Sequence, residues 1–284
     1  MSRPALSLIV ATVNRTEELF QLFESLAVQT CQDFEVIVVD QNTDDRILPY
    51  LEIAMAMGLN LTHLKNYPAN LSLARNIGLN AATADLIGFP DDDCWYEPDL
   101  LEQVVKRFSA EDAPAGVGVR WLEEGDPPIS ATRLTWERSK VFRDIPVTSF
   151  TLFFHKKLFD QIGDFDARLG IGLWFGSAEE TDLVLRALYA GALLAYEPSA
   201  VVHHPVRKPV IDRHALIAAR YRARGTGALW AKHDLPKWVI LRGLVAPVLR
   251  PLLQGSIGAE LAHGYAEMLG RLDGLLGWRR MQSS

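Results

Sequence analysis

Leu86-Ile-Gly-Phe-Pro-Asp-Asp-Asp-Cys-Trp95 runs a short apolar segment straight into three consecutive carboxylates. An apolar run bounded by turn residues reads as a buried strand. Three adjacent carboxylates repel one another. A hard divalent ion such as Mg2+ or Mn2+ prefers carboxylate and phosphate oxygens, and would relieve that repulsion. The competing reading is a solvated acidic turn that caps the helix following Pro98.

Working outward, the same rhythm recurs. Ala5 to Val13 is β-rich and turns polar at Thr12 and Asn14. Glu17 to Ala27 carries Leu19, Leu22, Phe23 and Leu26 at helical spacing. Phe34 to Val39 is a strand pattern ending at Asp40, and Ile47 to Met57 a helix stopped by Gly58. Leu61 to Leu64 is a brief strand, Ser72 to Ala82 is helical, and Pro98 to Phe108 is a helix with Pro near its start. This alternation predicts an α/β fold with a doubly wound, mainly parallel sheet. Such sheets bind ligands at the carboxyl ends of their strands. Three predicted strands end in polar groups, at Thr12 and Asn14, at Asp40 and Asn42, and at Asp91 to Asp93. The pattern therefore predicts a site at that edge.

From Gly116 the rhythm weakens. Gly116 to Leu122 and Phe150 to Phe154 read as strands, Glu123 to Pro128 as a surface loop, and Lys156 to Ile162 as a short helix. Ser177 to Tyr189 reads as a helix, and Leu193 to Val202 as a strand broken by Pro198. After Pro205 the chain reads helical, with Leu261, Tyr265, Leu269, Leu272 and Leu276 as one apolar stripe.

Charge divides the chain at the same place. Residues 1–204 hold 16 basic and 30 acidic side chains, and residues 205–284 hold 13 and 5. Two parts are expected, residues 1–206 and a basic helical region at 207–284. The net charge of −6 over 284 residues argues against a general nucleic-acid binder. Cys31 and Cys94 cannot build a disulfide framework, which points to a reducing compartment. No secretory leader is read at the N-terminus, so the sequons at Asn60 and Asn70 read as chance. The longest apolar candidate, Trp238 to Leu253, is broken by Arg242, Pro247, Arg250 and Pro251, so no membrane span is expected.

Several segments, in order, resemble a family 2 glycosyltransferase of the inverting, GT-A-fold type. They are Ser7-Leu-Ile-Val-Ala-Thr-Val-Asn-Arg15, Val36-Ile-Val-Val-Asp-Gln-Asn-Thr-Asp44, Ala74-Arg-Asn-Ile-Gly78, Asp91-Asp-Asp93, Gly163-Asp-Phe-Asp166 and Ala178-Glu-Glu-Thr-Asp-Leu-Val-Leu-Arg186. The likeness covers residues 5–205 and leaves the helical extension outside it. Any one of these segments is weak, and the ordered set is specific.

The resemblance implies a metal-dependent enzyme that moves a sugar from a UDP- or dTDP-type donor to a hydroxyl of a glycan or lipid-linked acceptor, in surface polysaccharide synthesis. Asp40 would bind the base, with Thr12, Asn14, Arg15, Asn42 and Arg75 around the donor. Asp91 and Asp92 would also lie on the donor side. Asp93 and Asp91 would hold Mg2+ or Mn2+, joined by His204. The family's base is an Asp, second in a Glu-Asp pair. Here the pair is Glu179-Glu180, one methylene longer, with Glu180 the first choice and Glu179 the alternate.

Structural readings compete at each of these positions. Ser177 to Glu180 also spells a capping box. Asp182 and Arg186, four apart, read first as a helix-surface pair, with Asp182 also an acceptor-side candidate. The loop Gly170-Ile-Gly-Leu-Trp-Phe-Gly176 suits a lid whose Trp174 or Phe175 stacks on a sugar, or a buried aromatic pair. The tail from Arg207, with its leucines and arginines, suits an anionic membrane surface or a lipid-linked diphosphate, or simply a packed helical subdomain. These readings place the protein in the cytoplasm, with a peripheral position on the inner face of the cell membrane left open. The alternatives are a nucleotidyltransferase, disfavoured because Thr12 to Thr16 lacks glycine, and a non-catalytic partner subunit of the same fold.

Overall fold

The computed structural model describes residues 3–122, 133–141, 148–205 and 210–283. The surface loop expected at Glu123 to Pro128 and the tail's first cations, Arg207 and Lys208, lie outside the described residues. The chain divides into two units, residues 1–165 with 183–206, and residues 166–182 with 207–284. Residues 207–284 all fall in the second unit. Residues 166–182, however, group with the C-terminal helices rather than with the first part.

The first unit opens with β1 (Leu6–Thr12), α1 (Glu17–Ala27), β2 (Phe34–Asp40), α2 (Leu48–Ala56), β3 (Leu61–Lys65), α3 (Leu71–Ala81) and β4 (Leu86–Gly88). These follow the predicted alternation almost residue for residue. β1 pairs in parallel with β2 and β4, and β2 with β3. β2 is buried at every position, which is why Phe34 to Val39 reads as an unbroken apolar run rather than an alternating one. Asn70, whose sequon reads as chance, caps α3 by accepting from Leu73 N at 3.0 Å.

The unit continues through β5 (Trp95–Tyr96), α4 (Leu100–Phe108), β6 (Gly116–Trp121), β7 (Arg133–Leu134), α5 (Trp136–Ser139), a 3-10 turn (Ser149–Thr151), β8 (Leu152–His155), α6 (Lys157–Ile162), α7 (Glu179–Tyr189) and β9 (Leu194–His203). Among the described residues the sheet order is β3-β2-β1-β4-β8-β6-β9-β5, with β7 beside β9. β8 runs antiparallel to β4 and β6, so the sheet is mixed in its second half. Pro198 does not break β9. Its neighbourhood bulges instead, and pairing with β6 jumps from Val119–Glu197 to Arg120–Val201. Two apolar clusters cover the faces of the sheet. One contains Leu22, Phe23, Val36, Leu101 and Phe153; the other contains Ile9, Val39, Phe89, Phe154 and Leu183.

The second unit contains residues 166–182, the first turn of α7 among them, together with α8 (Arg213–Lys232), α9 (Lys237–Leu253) and α10 (Ala259–Ser283). α8 and α10 meet through glycines. A Cβ at Gly270 would overlap the backbone of Arg220, and one at Gly274 the backbone of Arg224. Gly227 and Gly264 are equally constrained by Arg271 and Pro247. The expected apolar stripe on α10 is therefore not its buried face. Tyr265, Leu272 and Leu276 are exposed, while Gly264, Gly270, Gly274, Leu275 and Trp278 are buried. Close backbone approach selects small residues, which a search for large apolar side chains passes over.

Candidate active site

The parallel register sets three strand ends side by side. Thr12 of β1 lies opposite Asp40 of β2, and Asp40 lies opposite Lys65 of β3. Asp40 is wholly buried. Its carboxylate accepts from Asn42 N at 2.8 Å and Asn42 Nδ2 at 2.7 Å, and Lys65 Nζ stands 2.9 Å away, with His63 Nε2 at 3.2 Å. Burial pushes the Asp40 carboxyl up, but these donors outweigh it and hold it below the usual carboxylate range. Asn42 Oδ1 also accepts from Asn14 N at 2.7 Å. Asn14 has φ 60°, the left-handed region that Asn tolerates better than most residues. The two loops after β1 and β2 are thus tied together.

β4 ends at Gly88, and the acidic turn follows. Thr12 Oγ1 donates to Asp92 Oδ2 at 2.7 Å, joining the turn to the end of β1. Arg15 Nη2 donates to Asp93 Oδ2 at 2.8 Å, and its Nε lies 3.8 Å from Asp92. Arg75, buried on α3, reaches Asp91 Oδ1 at 3.2 Å, and Ser149 Oγ donates to the same oxygen at 3.0 Å. Part of the repulsion that the sequence leads one to assign to a metal is thus balanced by arginine. Burial nevertheless pushes the Asp92 carboxyl up to about 7 and raises Asp91 as well, so the turn keeps a demand for positive charge.

β9 brings His204 to this turn. Its Nε2 lies 3.0 Å from Asp93 Oδ1. Its Nδ1 donates to the Pro205 carbonyl at 3.1 Å, which leaves Nε2 as the nitrogen facing the carboxylate. The Phe150 ring stacks on the imidazole at 4.8 Å and 12°, and Trp121 meets it edge-on at 5.9 Å. Asp93 raises the His204 pKa above its ordinary value, against burial. Ligand atoms of Asp91, Asp93 and His204 all lie within 4.8 Å of one another. Two carboxylate oxygens and an imidazole nitrogen suit Mn2+ or Mg2+, and the His204 ring already has the carbonyl partner typical of a metal-ligating histidine.

In the second unit, Ser177 Oγ donates to the Arg222 carbonyl at 2.8 Å, and α7 begins only at Glu179. Ala178 precedes it with φ 83°, a strained conformation for a residue with a side chain. The helix therefore starts later than a Ser177 cap requires. Glu179 is buried and Glu180 half-buried. Asp182 is not on the helix surface. It is wholly buried, 2.8 Å from Lys232 Nζ and 2.9 Å from His233 Nε2, while Arg186 donates to the carbonyls of Ile162, Gly163 and Asp164. Phe175 is buried against Trp278 at 5.3 Å. Trp174 is 50% exposed, with the Arg224 guanidinium 4.8 Å over its ring, so of the two aromatics only Trp174 presents a face.

Lys65, Ser149 and Phe150 are not among the site residues read from the sequence. Lys65 had a usable signal, since parallel pairing of β2 and β3 sets it opposite Asp40. Ser149 and Phe150 reach the site only through β8, whose antiparallel place in the sheet has no local signature.

A parallel sheet that turns mixed beyond β4, with an acidic turn at its strand ends, matches the GT-A class of glycosyltransferase folds. Solved structures agree. The mannosyltransferase PcManGT from Pyrobaculum calidifontis, in complex with GDP-Man and Mn2+, superposes with a TM-score of 0.69 at 16% identity, covering 97% of this chain and 88% of that one. S. aureus TarS 1–349 in complex with UDP-GlcNAc gives 0.61 at 17%, covering 96% and 92%. Residues 7–161, more than half of the sequence, match Glycosyl transferase family 2, and the chain belongs to that family. Among named relatives, the putative glycosyltransferase EpsH of Bacillus subtilis is 33% identical over 111 residues, 39% of this chain and 32% of EpsH. A PGL/p-HBAD biosynthesis glycosyltransferase of Mycobacterium bovis is 29% identical over 174 residues, 59% of this chain and 66% of that protein. The matches thus span from about a third to two thirds of those relatives' own length.

Proposed function

We propose that this protein is a metal-dependent, inverting glycosyltransferase that takes a sugar from a UDP- or dTDP-type donor. The observation that carries the reading is the meeting of Asp91, Asp93 and His204 at the strand ends. Mg2+ or Mn2+ held by these three residues would neutralise charge on the departing nucleoside diphosphate. Asp40, kept ionised by Lys65 and Asn42, accepts a hydrogen bond from the donor base, and Thr12, Asn14, Asn42, Arg15 and Arg75 shape the surrounding pocket. Support for a nucleotide-sugar donor comes from the neighbours, one bound to UDP-GlcNAc and one to GDP-Man.

In the transfer, a carboxylate takes the proton of the acceptor hydroxyl as its oxygen attacks the anomeric carbon. The bond from that carbon to the diphosphate breaks on the opposite side, so the anomeric configuration inverts. Glu180 is assigned this proton-accepting role, with Glu179 as alternate, and Trp174 offers a ring face for an acceptor sugar.

The acceptor in this reading is a glycan or lipid-linked glycan of a surface polysaccharide. One feature favours a lipid-linked acceptor and work at the inner face of the cell membrane. α9 exposes Trp238, Leu241, Val245, Leu249 and Leu252, beside Arg242 and Arg250. Among the described residues no helix is long and apolar enough to cross a membrane, so this face would lie on an anionic surface rather than insert across it.

A thermal-shift panel of nucleotide-sugars, with and without Mn2+, tests the donor reading. The expected result is stabilisation by one class of donor that depends on the metal. No metal-dependent shift from any donor would contradict it.

A further inference from the structure

The helical second unit holds an open cavity of about 240 Å³ between α8 and α10, with Ser177 in its lining. That is below the roughly 300–1,000 Å³ of typical drug-sized sites, so it suits a small group rather than a nucleotide. Its chemistry is one-sided. Arg222 and Thr226 come from α8, and His263, Glu267 and Arg271 from α10. Glu267 supplies the single carboxylate, already shared between Arg271 Nη2 at 3.3 Å and His263 Nδ1 at 4.0 Å.

The donors exceed that one acceptor. Arg271 Nη1 donates to the Gly243 carbonyl at 2.7 Å, but its buried Nε has no hydrogen-bond partner among the described residues. Arg222 is exposed and forms no ion pair among the described residues. A half-buried guanidinium whose Nε is buried without an acceptor carries a desolvation cost that an oxyanion beside it would offset. Guanidinium forks suit phosphate oxygens in particular.

We propose that this cavity binds a phosphate group of the acceptor, with Arg222, Thr226 and Arg271 as its donors. The proposal rests on the glycosyltransferase reading and deepens it by naming an anionic acceptor. The site's place supports the assignment. Ser177 is two residues before Glu179, and Ser177 to Ala178 leads directly into the helix that carries the candidate base. The α8 backbone presses against this segment, since a Cβ at Gly225 would overlap Ser177. A phosphate seated here is therefore held by the same element that presents Glu179 and Glu180. Arg271 also anchors to Gly243 of α9, the helix with the exposed apolar face, so a lipid-borne and a soluble phosphate are both chemically suited.

Titration calorimetry of the full chain with inorganic pyrophosphate in EDTA tests the site, using wild type, Arg222→Gln, Thr226→Val and Arg271→Gln. Saturable binding is expected, weakened about tenfold or more by Arg222→Gln, the size of one charge-assisted hydrogen bond. Arg222 is exposed, so its variant keeps the test valid if Arg271→Gln does not fold. A parallel arm uses phosphatidylcholine vesicles with and without phosphatidic acid. Recruitment by phosphatidic acid that Arg222→Gln removes assigns a lipid headgroup. Pyrophosphate binding alone, with no such recruitment, assigns a soluble phosphate. Absence of pyrophosphate binding, or binding that neither Arg222→Gln nor Thr226→Val weakens, overturns the proposal. Mn2+-dependent UDP binding, measured in parallel, reports on the donor site, so failure of the donor reading is seen separately.

Discussion

His204 Nε2 stands 3.0 Å from Asp93 Oδ1, although 110 residues of chain lie between them in the sequence. The contact exists because β9 ends beside the acidic turn, and because Phe150 and the Pro205 carbonyl fix the imidazole's plane and tautomer. Metal-ligating histidines are typically held by such outer partners, whose loss costs about 10- to 100-fold in metal affinity. Phe150→Ala is therefore expected to weaken Mn2+ binding by roughly that factor. His204→Ala should weaken it at least as much. Titration of each variant with Mn2+ checks this, and unchanged affinity in both would remove His204 from the ligand set.

The contact between α8 and α10 yields a stability prediction. Gly274→Ala places a methyl group into the Arg224 carbonyl, and should cost about 1–3 kcal/mol or more as overpacking. Gly118→Ala in β6 is the control, because its added Cβ meets nothing closer than 3.7 Å. Urea unfolding midpoints separate the two. Equal midpoints would mean that the helices can move apart without penalty.

Asp182 is the anchor of the first turn of α7. Removing one partner of a buried ion pair leaves the other uncompensated, at about 3–5 kcal/mol. Asp182→Ala should destabilise by that order, since it strips a carboxylate from both Lys232 and His233. Chemical denaturation measures it. A loss under about 1 kcal/mol, the range of surface pairs, would show the cluster to be solvated.

Acid should destabilise this fold only below about pH 4. Burial pushes the Glu35 carboxyl up, but Ser7 Oγ at 2.6 Å, Thr83 N at 2.7 Å and Thr83 Oγ1 at 2.8 Å outweigh it and hold it below its usual range. Asp40 and Asp166 are lowered as well. A carboxyl whose folded pKa is depressed contributes stability above its unfolded pKa, about 4, and loses it as pH falls through the folded value. Asp92, whose carboxyl is pushed up to about 7, and His204, raised above its ordinary value, work the other way and add stability as pH falls through their folded values. Unfolding midpoints should thus rise from about pH 7 to 5 and decline below about 4, where the depressed carboxyls lose theirs. Glu35→Gln should flatten that decline. An acid limb identical in the variant would contradict the assignment.

The first half of the fold is legible because its information is local. Glu17 to Ala27 shows its helical period, Phe34 to Val39 its apolar run, and Asp91 to Asp93 its charge, without reference to the rest of the chain. The same locality makes Thr12, Asp40 and the acidic turn readable as one edge, since parallel strands bring their ends together. Legibility fails where long-range pairing decides. β5 is two residues long and exists because it pairs with β9, and β8 enters the sheet against the direction of β4. The glycine face of α10 fails for another reason. Its leucines form a convincing stripe, yet the closest packing goes to the residues with no side chain. At Asp182 a plausible neighbour four residues away distracts from Lys232 and His233, which only the tertiary fold supplies.

Anomalous diffraction from crystals soaked with Mn2+ and UDP tests the metal-centred account most directly. A manganese peak bonded to Asp91, Asp93 and His204, touching the diphosphate, with uracil beside Asp40, is the predicted result. Nucleotide bound with no manganese at those three side chains, or manganese bound away from them, would contradict it.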